Sequence, residues 1–298
     1  MIPSSTLLQR AIILKSLRQT MDGMGFIEVE TPVRVAAPAN ELHIDVPTSE
    51  DIFLRASPEL HMKRLLCHGA KKIYQLGACF RSGEKGERHN PEFSMMEWYR
   101  ANAGYEDVLH DLNVMVRNAA VAVHGKTTWS YKGTKVDVGM AWHCLTVQEA
   151  YQQFAGWDPI ENYDADRFDM DMVFKIEPNL PKDRPCILKD YPIEAAALSR
   201  PNRYAPCIAE RWEVYIGGME LCNAYGELTD AQEQRRRFEE AVRQRKEMGR
   251  IAYPLDEDFL SDLEKGLMPP SGGAALGVDR LCMVLLDLPN IADVRAFI

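Results

Sequence analysis

Phe80-Arg81-Ser82-Gly83-Glu84-Lys85-Gly86-Glu87-Arg88-His89-Asn90-Pro91-Glu92-Phe93 is the stretch on which the fold of this chain turns. Its middle, residues 82–90, is polar and glycine-bearing, the composition of a loop. Residues 72–81 and 92–100 flank it with apolar and aromatic side chains that suit strands. The pattern predicts two strands joined by a loop, with Arg81 ending one strand and His89, Asn90 and Phe93 opening the next.

Working outward, residues 6–22 place Leu7, Leu8, Ala11, Ile12, Leu14, Leu17 and Met21 at helical spacing, and Gly23 and Gly25 stop the helix. Residues 26–32 read as a short extended stretch closed by Pro32. A strand is expected at 52–55, then a helix over 58–67 with Ser57 as N-cap and Pro58 at its first position. Residues 105–123 form another amphipathic helix. The pattern weakens from 124 to 180, with short helices near 147–155 and 163–175. Strands return at 211–215 and 219–225, joined by Gly217-Gly218 as a hairpin turn. Thr229-Asp230-Ala231-Gln232 reads as a capping box opening a charged helix to about 248. There Glu233 is expected to face Arg237 and Glu239 to face Arg243, so Arg235-Arg236-Arg237 reads as an ion-paired surface rather than a nucleic-acid patch. A glycine-rich stretch, 272–277, leads into a last apolar helix over 278–288. With no repeat or linker, the expectation is one α+β domain over 1–298, an antiparallel sheet flanked by helices.

Composition sets limits. Hydrophobic residues make up 46% of 298, enough for a large core. The net charge of -9 counts against a protein that grips nucleic acid by its phosphates. The seven cysteines contain no CxxC pair, which fits reduced thiols. No signal-peptide pattern opens the chain and no apolar run reaches bilayer length, so a cytoplasmic protein with no membrane segment is expected.

Three groups of residues need more than packing to explain them. Arg81 can neutralise a carboxylate and a phosphate together through its forked donors. The run Glu220-Leu221-Cys222-Asn223-Ala224-Tyr225-Gly226-Glu227 gathers carboxylates suited to Mg²⁺ or to amines. Strand alternation puts Glu220 and Asn223 on opposite faces unless a bulge intervenes, and Glu227 also requires a bend. Gly277-Val278-Asp279-Arg280 reads as a glycine turn feeding a helix, where a flat ring or phosphate can approach the backbone.

Together, the arginine, the loop with His89-Asn90-Pro91-Glu92-Phe93, and Gly277-Val278-Asp279-Arg280 resemble motifs 2 and 3 of class II aminoacyl-tRNA synthetases. Gly25-Phe26 and Pro32 after a long helix resemble motif 1, the dimer-forming element. Ser57-Pro58-Glu59-Leu60-His61-Met62-Lys63-Arg64, Glu97-Trp98-Tyr99 and Arg211-Trp212-Glu213-Val214-Tyr215 resemble the lysine branch. Lysyl-tRNA synthetases carry an N-terminal β-barrel that reads the anticodon. Here the first catalytic helix begins near the start, and a chain without that barrel is expected. In this, in Ser57 before Pro58-Glu59, in Trp98-Tyr99-Arg100 and in Ala275 at a glycine position, the sequence is similar to the elongation factor P–(R)-β-lysine ligase family.

That resemblance implies ATP and Mg²⁺ as cofactors, a lysine or (R)-β-lysine adenylate, and transfer to a lysine of elongation factor P. It implies a homodimer through motif 1 and counts against tRNA as acceptor. The alternatives are lysine activation with another acceptor such as tRNA, or a non-catalytic regulator. The implied catalytic residues are Arg81, Arg280 and Glu220. ATP would be held by Arg81, Ser82, Gly83, Glu84, His89, Asn90, Phe93, Glu220, Leu221, Gly277 and Arg280. The amino acid would be held by Ser57, Pro58, Glu59, Glu97, Tyr99, Asn223, Glu227 and Ala275, and the metal by Glu220 and Glu227. Ala275 adds a methyl group beside the α-amino position, a misfit worth on the order of 1–3 kcal/mol. One departure stands out: where the family often has Asn-Glu after the motif 2 arginine, this chain has Ser82-Gly83-Glu84.

Overall fold

The computed structural model describes residues 2–297. Helix α1 (Ser4–Gly23) is followed by the short strands β1 (Ile27–Glu28), β2 (Arg34–Val35), β3 (Thr48–Ser49) and β4 (Ile52–Leu54). Next come α2 (Glu59–Cys67), the hairpin β5 (Lys72–Phe80) and β6 (Glu92–Ala101), and α3 (Tyr105–His124). The middle holds β7 (Thr128–Tyr131), β8 (Thr134–Asp137), β9 (His143–Thr146), α4 (Val147–Phe154), α5 (Ala165–Asp171) and β10 (Cys186–Pro192). The chain closes with β11 (Ile208–Ile216), β12 (Met219–Gly226), α6 (Ala231–Glu247), α7 (Glu257–Glu264), β13 (Ser271–Gly277) and α8 (Val278–Leu285).

Eight strands form one sheet in the order β1-β5-β6-β13-β12-β11-β10-β9. The six central strands are antiparallel, as expected, but β1 joins β5 in parallel and β9 joins β10 in parallel. The sheet is therefore mixed, because both edge strands arrive through crossovers instead of hairpins. Its two faces differ sharply. On one, Tyr74, Met96, Trp98, Trp212, Val214 and Leu276 pack against α1, α3 and α8 in the main apolar core. Alternation then sends Glu97, Tyr99, Glu213, Asn223 and Ala275 to the opposite face, which forms the floor of a cavity. A second core, built from α2, α6 and α7 through Leu60, Leu66, Phe238 and Phe259, closes one end of that face.

Several local expectations shift. Helix α2 starts at Glu59, with Pro58 as its cap residue, yet the Ser57 hydroxyl still accepts from Glu59 N at 3.0 Å. The cap of α6 is Asp230, not Thr229; its carboxylate accepts from the backbone N–H of Gln232 and Glu233. Arg237 pairs with Glu233 at 2.7 Å as expected, whereas Arg243 takes Glu240 and Glu247 instead of Glu239. The glycine-rich stretch 272–277 that leads into the last helix is strand β13. Gly272 and Gly273 lack positive φ, and their value is room: a Cβ at Gly273 would collide with Glu227 Oε1 and the Tyr99 ring.

Candidate active site

The strand parity of β12 is reset by a bulge. Val214 pairs with Cys222 but Tyr215 pairs with Glu220, leaving Leu221 as the extra residue. Glu220, Asn223 and Tyr225 therefore share the cavity face, the outcome the alternation required of a bulge. One cross-strand row then runs Glu213–Asn223–Ala275–Glu97–Gln75 over five strands. The next row runs Arg211–Tyr225–Gly273–Tyr99. Ala275 thus stands directly between Asn223 and Glu97.

Below these rows lies a pocket of about 80 Å³, suited to an extended amino-acid side chain rather than a nucleotide. Its charge is managed in two groups. Glu97, 1% exposed, accepts from the Ser57 hydroxyl at 2.6 Å and the Tyr99 hydroxyl at 2.9 Å. Burial, then the neighbouring Glu59, pushes its pKa up to about 8. Beside this group, the fully buried Lys63 is bound by Glu59 Oε1 and Glu227 Oε2, each at 2.5 Å. Burial opposes its charge, but the two carboxylates outweigh burial and raise its pKa. Lys63 was not foreseen, although its i,i+4 spacing from Glu59 on a helix carried the signal.

A larger cavity of about 290 Å³ opens beside the first. Arg81 lies at the junction of the two and its guanidinium stands 5.3 Å from the centre of the Phe93 ring. Arg280 donates to Glu220 Oε2 and to Glu220 O, both at 3.0 Å, and its other nitrogen meets His89 Nε2. Burial first, then Arg280, lowers the pKa of His89, so its imidazole stays neutral at pH 7. Glu84, Asn90, Leu221 and Gly277 also line this cavity. Ser82 and Gly83 do not: both are exposed, and the Ser82 backbone N–H is spent on Asp45 O at 2.6 Å. Pro58 lines neither cavity and instead caps α2. Glu220 and Glu227, grouped as metal ligands on the resemblance, line different cavities, and Glu227 is engaged by Lys63. Among the described residues no three His, Cys, Asp or Glu side chains converge as a metal cage.

A third space, an open groove of about 780 Å³, adjoins both cavities. Glu41, Asp169, Glu177, Glu194 and Glu240 face it, while its Arg236 and Arg237 are tied to Glu233. Arg211, which the strand alternation of β11 aims at this face, pairs with Glu213 at 2.7 Å and stacks over Tyr191. Glu41, Lys63, Arg211 and Tyr225 are the site residues that motif reading passed over.

Residues 3–298 match the family described as tRNA synthetases class II (D, K and N). The chain is 35% identical over 324 residues to a lysine–tRNA ligase of Clostridium perfringens, covering 98% of this chain and 64% of that protein. It is 37% identical over 317 residues to the lysine–tRNA ligase of Moorella thermoacetica, covering 97% and 64%. For the lysine–tRNA ligase of Thermosynechococcus vestitus the identity is 36% over 319 residues, covering 98% and 62%. The chain therefore spans just under two thirds of the length of these relatives. No helix among the described residues is long and apolar enough to cross a membrane.

Proposed function

Because the chain belongs to the class II tRNA synthetase family of the aspartate, lysine and asparagine branch, we propose that it activates a lysine-type amino acid with ATP. The observation that carries this reading is the acidic pocket, with Glu97, Ser57 and Tyr99 beside Glu59, Lys63 and Glu227. It offers several carboxyl groups to a substrate with two amines, and the relatives named for lysine support the same choice.

In the first step the substrate carboxylate lies against Arg81, at the junction with the nucleotide cavity. Arg81 holds carboxylate and α-phosphate together and offsets the charge that builds as oxygen attacks phosphorus. Phe93 and Arg280 bracket the nucleotide base, and His89, Asn90 and Glu84 contact the phosphates or the base edge. Glu220, crowded by burial and by Glu213, is the residue that would hold a Mg²⁺ ion, and the ion would supply positive charge that eases the loss of pyrophosphate.

The finer reading is that the substrate is (R)-β-lysine and that the acyl group passes to a lysine side chain of elongation factor P. Ala275 supports the substrate, since its methyl group stands between Glu97 and Asn223, where an α-amine would lodge. The acidic groove supports an ammonium-bearing acceptor over a polyphosphate one. Transfer to tRNA is the second reading, favoured by what the relatives are named for. A homodimer through α1 and β1 completes the proposal, with Leu8 and Ile27 exposed there.

The test is ATP–pyrophosphate exchange with lysine, with (R)-β-lysine and without amino acid, followed by transfer of labelled acyl group to elongation factor P or tRNA. Exchange that depends on (R)-β-lysine and label on the protein are expected. No exchange with either amino acid overturns activation; label confined to tRNA overturns the protein acceptor.

A further inference from the structure

Glu41 alone among the described residues lines all three spaces: the amine pocket, the nucleotide cavity and the acidic groove. It therefore stands where an acceptor entering by the groove would meet a carbonyl held between the other two. Among the described residues no side-chain hydrogen bond ties its carboxylate. The groups facing it act through space: Arg81 and Glu84 from the loop after β5, Glu59 from α2, Arg211 from β11 and Tyr225 from β12. From α6, Arg237 and Glu240 lie along the groove. Burial raises its pKa against the pull of Arg81, which makes it a better proton acceptor than a solvated glutamate.

The segment that carries Glu41 is fixed from behind. Arg245 of α6, 0% exposed, donates to Glu41 O at 2.7 Å, Leu42 O at 3.2 Å and Ile44 O at 2.8 Å, and pairs with Asp45 at 2.5 Å. Arg250 adds bonds to His43 O and Asp45, and Tyr253 accepts from Val46 N. A loop with no regular structure is thus held as firmly as a helix turn, as a loop presenting a reactive group needs to be.

A lysine side chain reaches the site as an ammonium ion, with an ordinary pKa of about 10.4, and has no lone pair until it loses a proton. A tRNA hydroxyl has no such requirement. We propose that Glu41 is the catalytic base of the second step, accepting the proton of the acceptor ammonium as it passes from the groove to the adenylate. The inference rests on the amino-acid activation proposed above. One ammonium proton moves to the Glu41 carboxylate. The freed amine attacks the acyl carbon, a C–N bond forms, the C–O bond to phosphate breaks, and AMP leaves with the electron pair. The second proton leaves the new amide nitrogen for a phosphate oxygen and then solvent.

The test compares two nucleophiles on preformed enzyme-bound adenylate at pH 7. n-Propylamine arrives protonated, as lysine does; hydroxylamine arrives neutral and needs no base. Glu41→Gln should lower amide formation from propylamine by about a hundredfold relative to its own hydroxamate formation, the low end of general-base effects. The gap should narrow as pH rises and solvent deprotonates the amine, and Glu41→Asp should recover part of the loss. Equal losses for both nucleophiles, no loss for either, or wild-type protein that forms hydroxamate but no propylamide would overturn the assignment. Wild-type protein that forms neither would overturn the activation reading itself.

Discussion

Glu97 is a carboxyl group that must be charged to hold an ammonium ion, yet its pKa is about 8 in the free protein. At pH 7 it is mostly protonated, so binding a cationic substrate requires it to give up a proton. Affinity should therefore improve as pH rises toward 8 and level off above it. The KM for the amino acid in pyrophosphate exchange should fall by up to about tenfold per pH unit between 6 and 7.5. Glu97→Gln should flatten that slope while raising KM; a slope that survives the substitution would assign the titration to another group. Ala275 sets the second residue-scale expectation. Its methyl group lies between two substrate-binding candidates, so Ala275→Gly should shift the preference toward lysine by roughly tenfold. An unchanged ratio of kcat/KM for lysine and (R)-β-lysine would show that the methyl group does not read amine position. Most of these residues were legible because they sit in motifs with fixed spacing. Glu41 and Lys63 were not: the first sits in an irregular loop held by a distant helix, and the second offered only its i,i+4 spacing from Glu59 as a signal.

At the scale of elements, the sheet could be foreseen where strands are long and joined by short turns, as in β5–β6 and β11–β12. It could not be foreseen where short strands join by unusual turns. The β7–β8 hairpin turns at Lys132-Gly133, both with positive φ, a geometry more often signalled by Asn-Gly. The parity of Glu220 and Asn223 did demand a bulge, and the bulge at Leu221 is there. The glycine-rich stretch 272–277 was not legible as a strand, because glycine usually marks a turn; here two of its glycines leave space for neighbouring side chains within β13. Gly273→Ala would push a carbon into Glu227 and the Tyr99 ring. The added atom should cost about 1–3 kcal/mol, since packed neighbours can give only a few tenths of an ångström. The melting temperature should drop by a few degrees and the KM for the amino acid should rise. A variant with unaltered KM would show that Glu227 does not need its present position to bind substrate.

At the scale of the whole molecule, the surface proposed for dimerisation and the candidate catalytic face are joined by one ion pair. Arg10 of α1 reaches Asp279 at the start of α8 at 2.7 Å and donates to Ser94 Oγ of β6 at 2.9 Å. Asp279, 2% exposed, also accepts from Ser94 N at 3.0 Å and lines the nucleotide cavity. The same helix exposes Leu8 (67%), and edge strand β1, packed at the helix's other end, exposes Ile27 (66%). Unpaired edges with apolar side chains are normally covered in a native protein. A second copy in the manner of motif 1 would cover this one and hold α1 against the cavity wall. Ile27→Lys places a charge on that edge without touching the core or the cavity. Sedimentation should then change from a dimer to a monomer of 33.8 kDa. Because α1 carries Arg10, exchange activity should fall with the dimer and recover as protein concentration is raised. Wild-type protein that sediments as a monomer, or a monomeric variant with full exchange, would separate the surface from the site and leave the Arg10–Asp279 pair as a local brace.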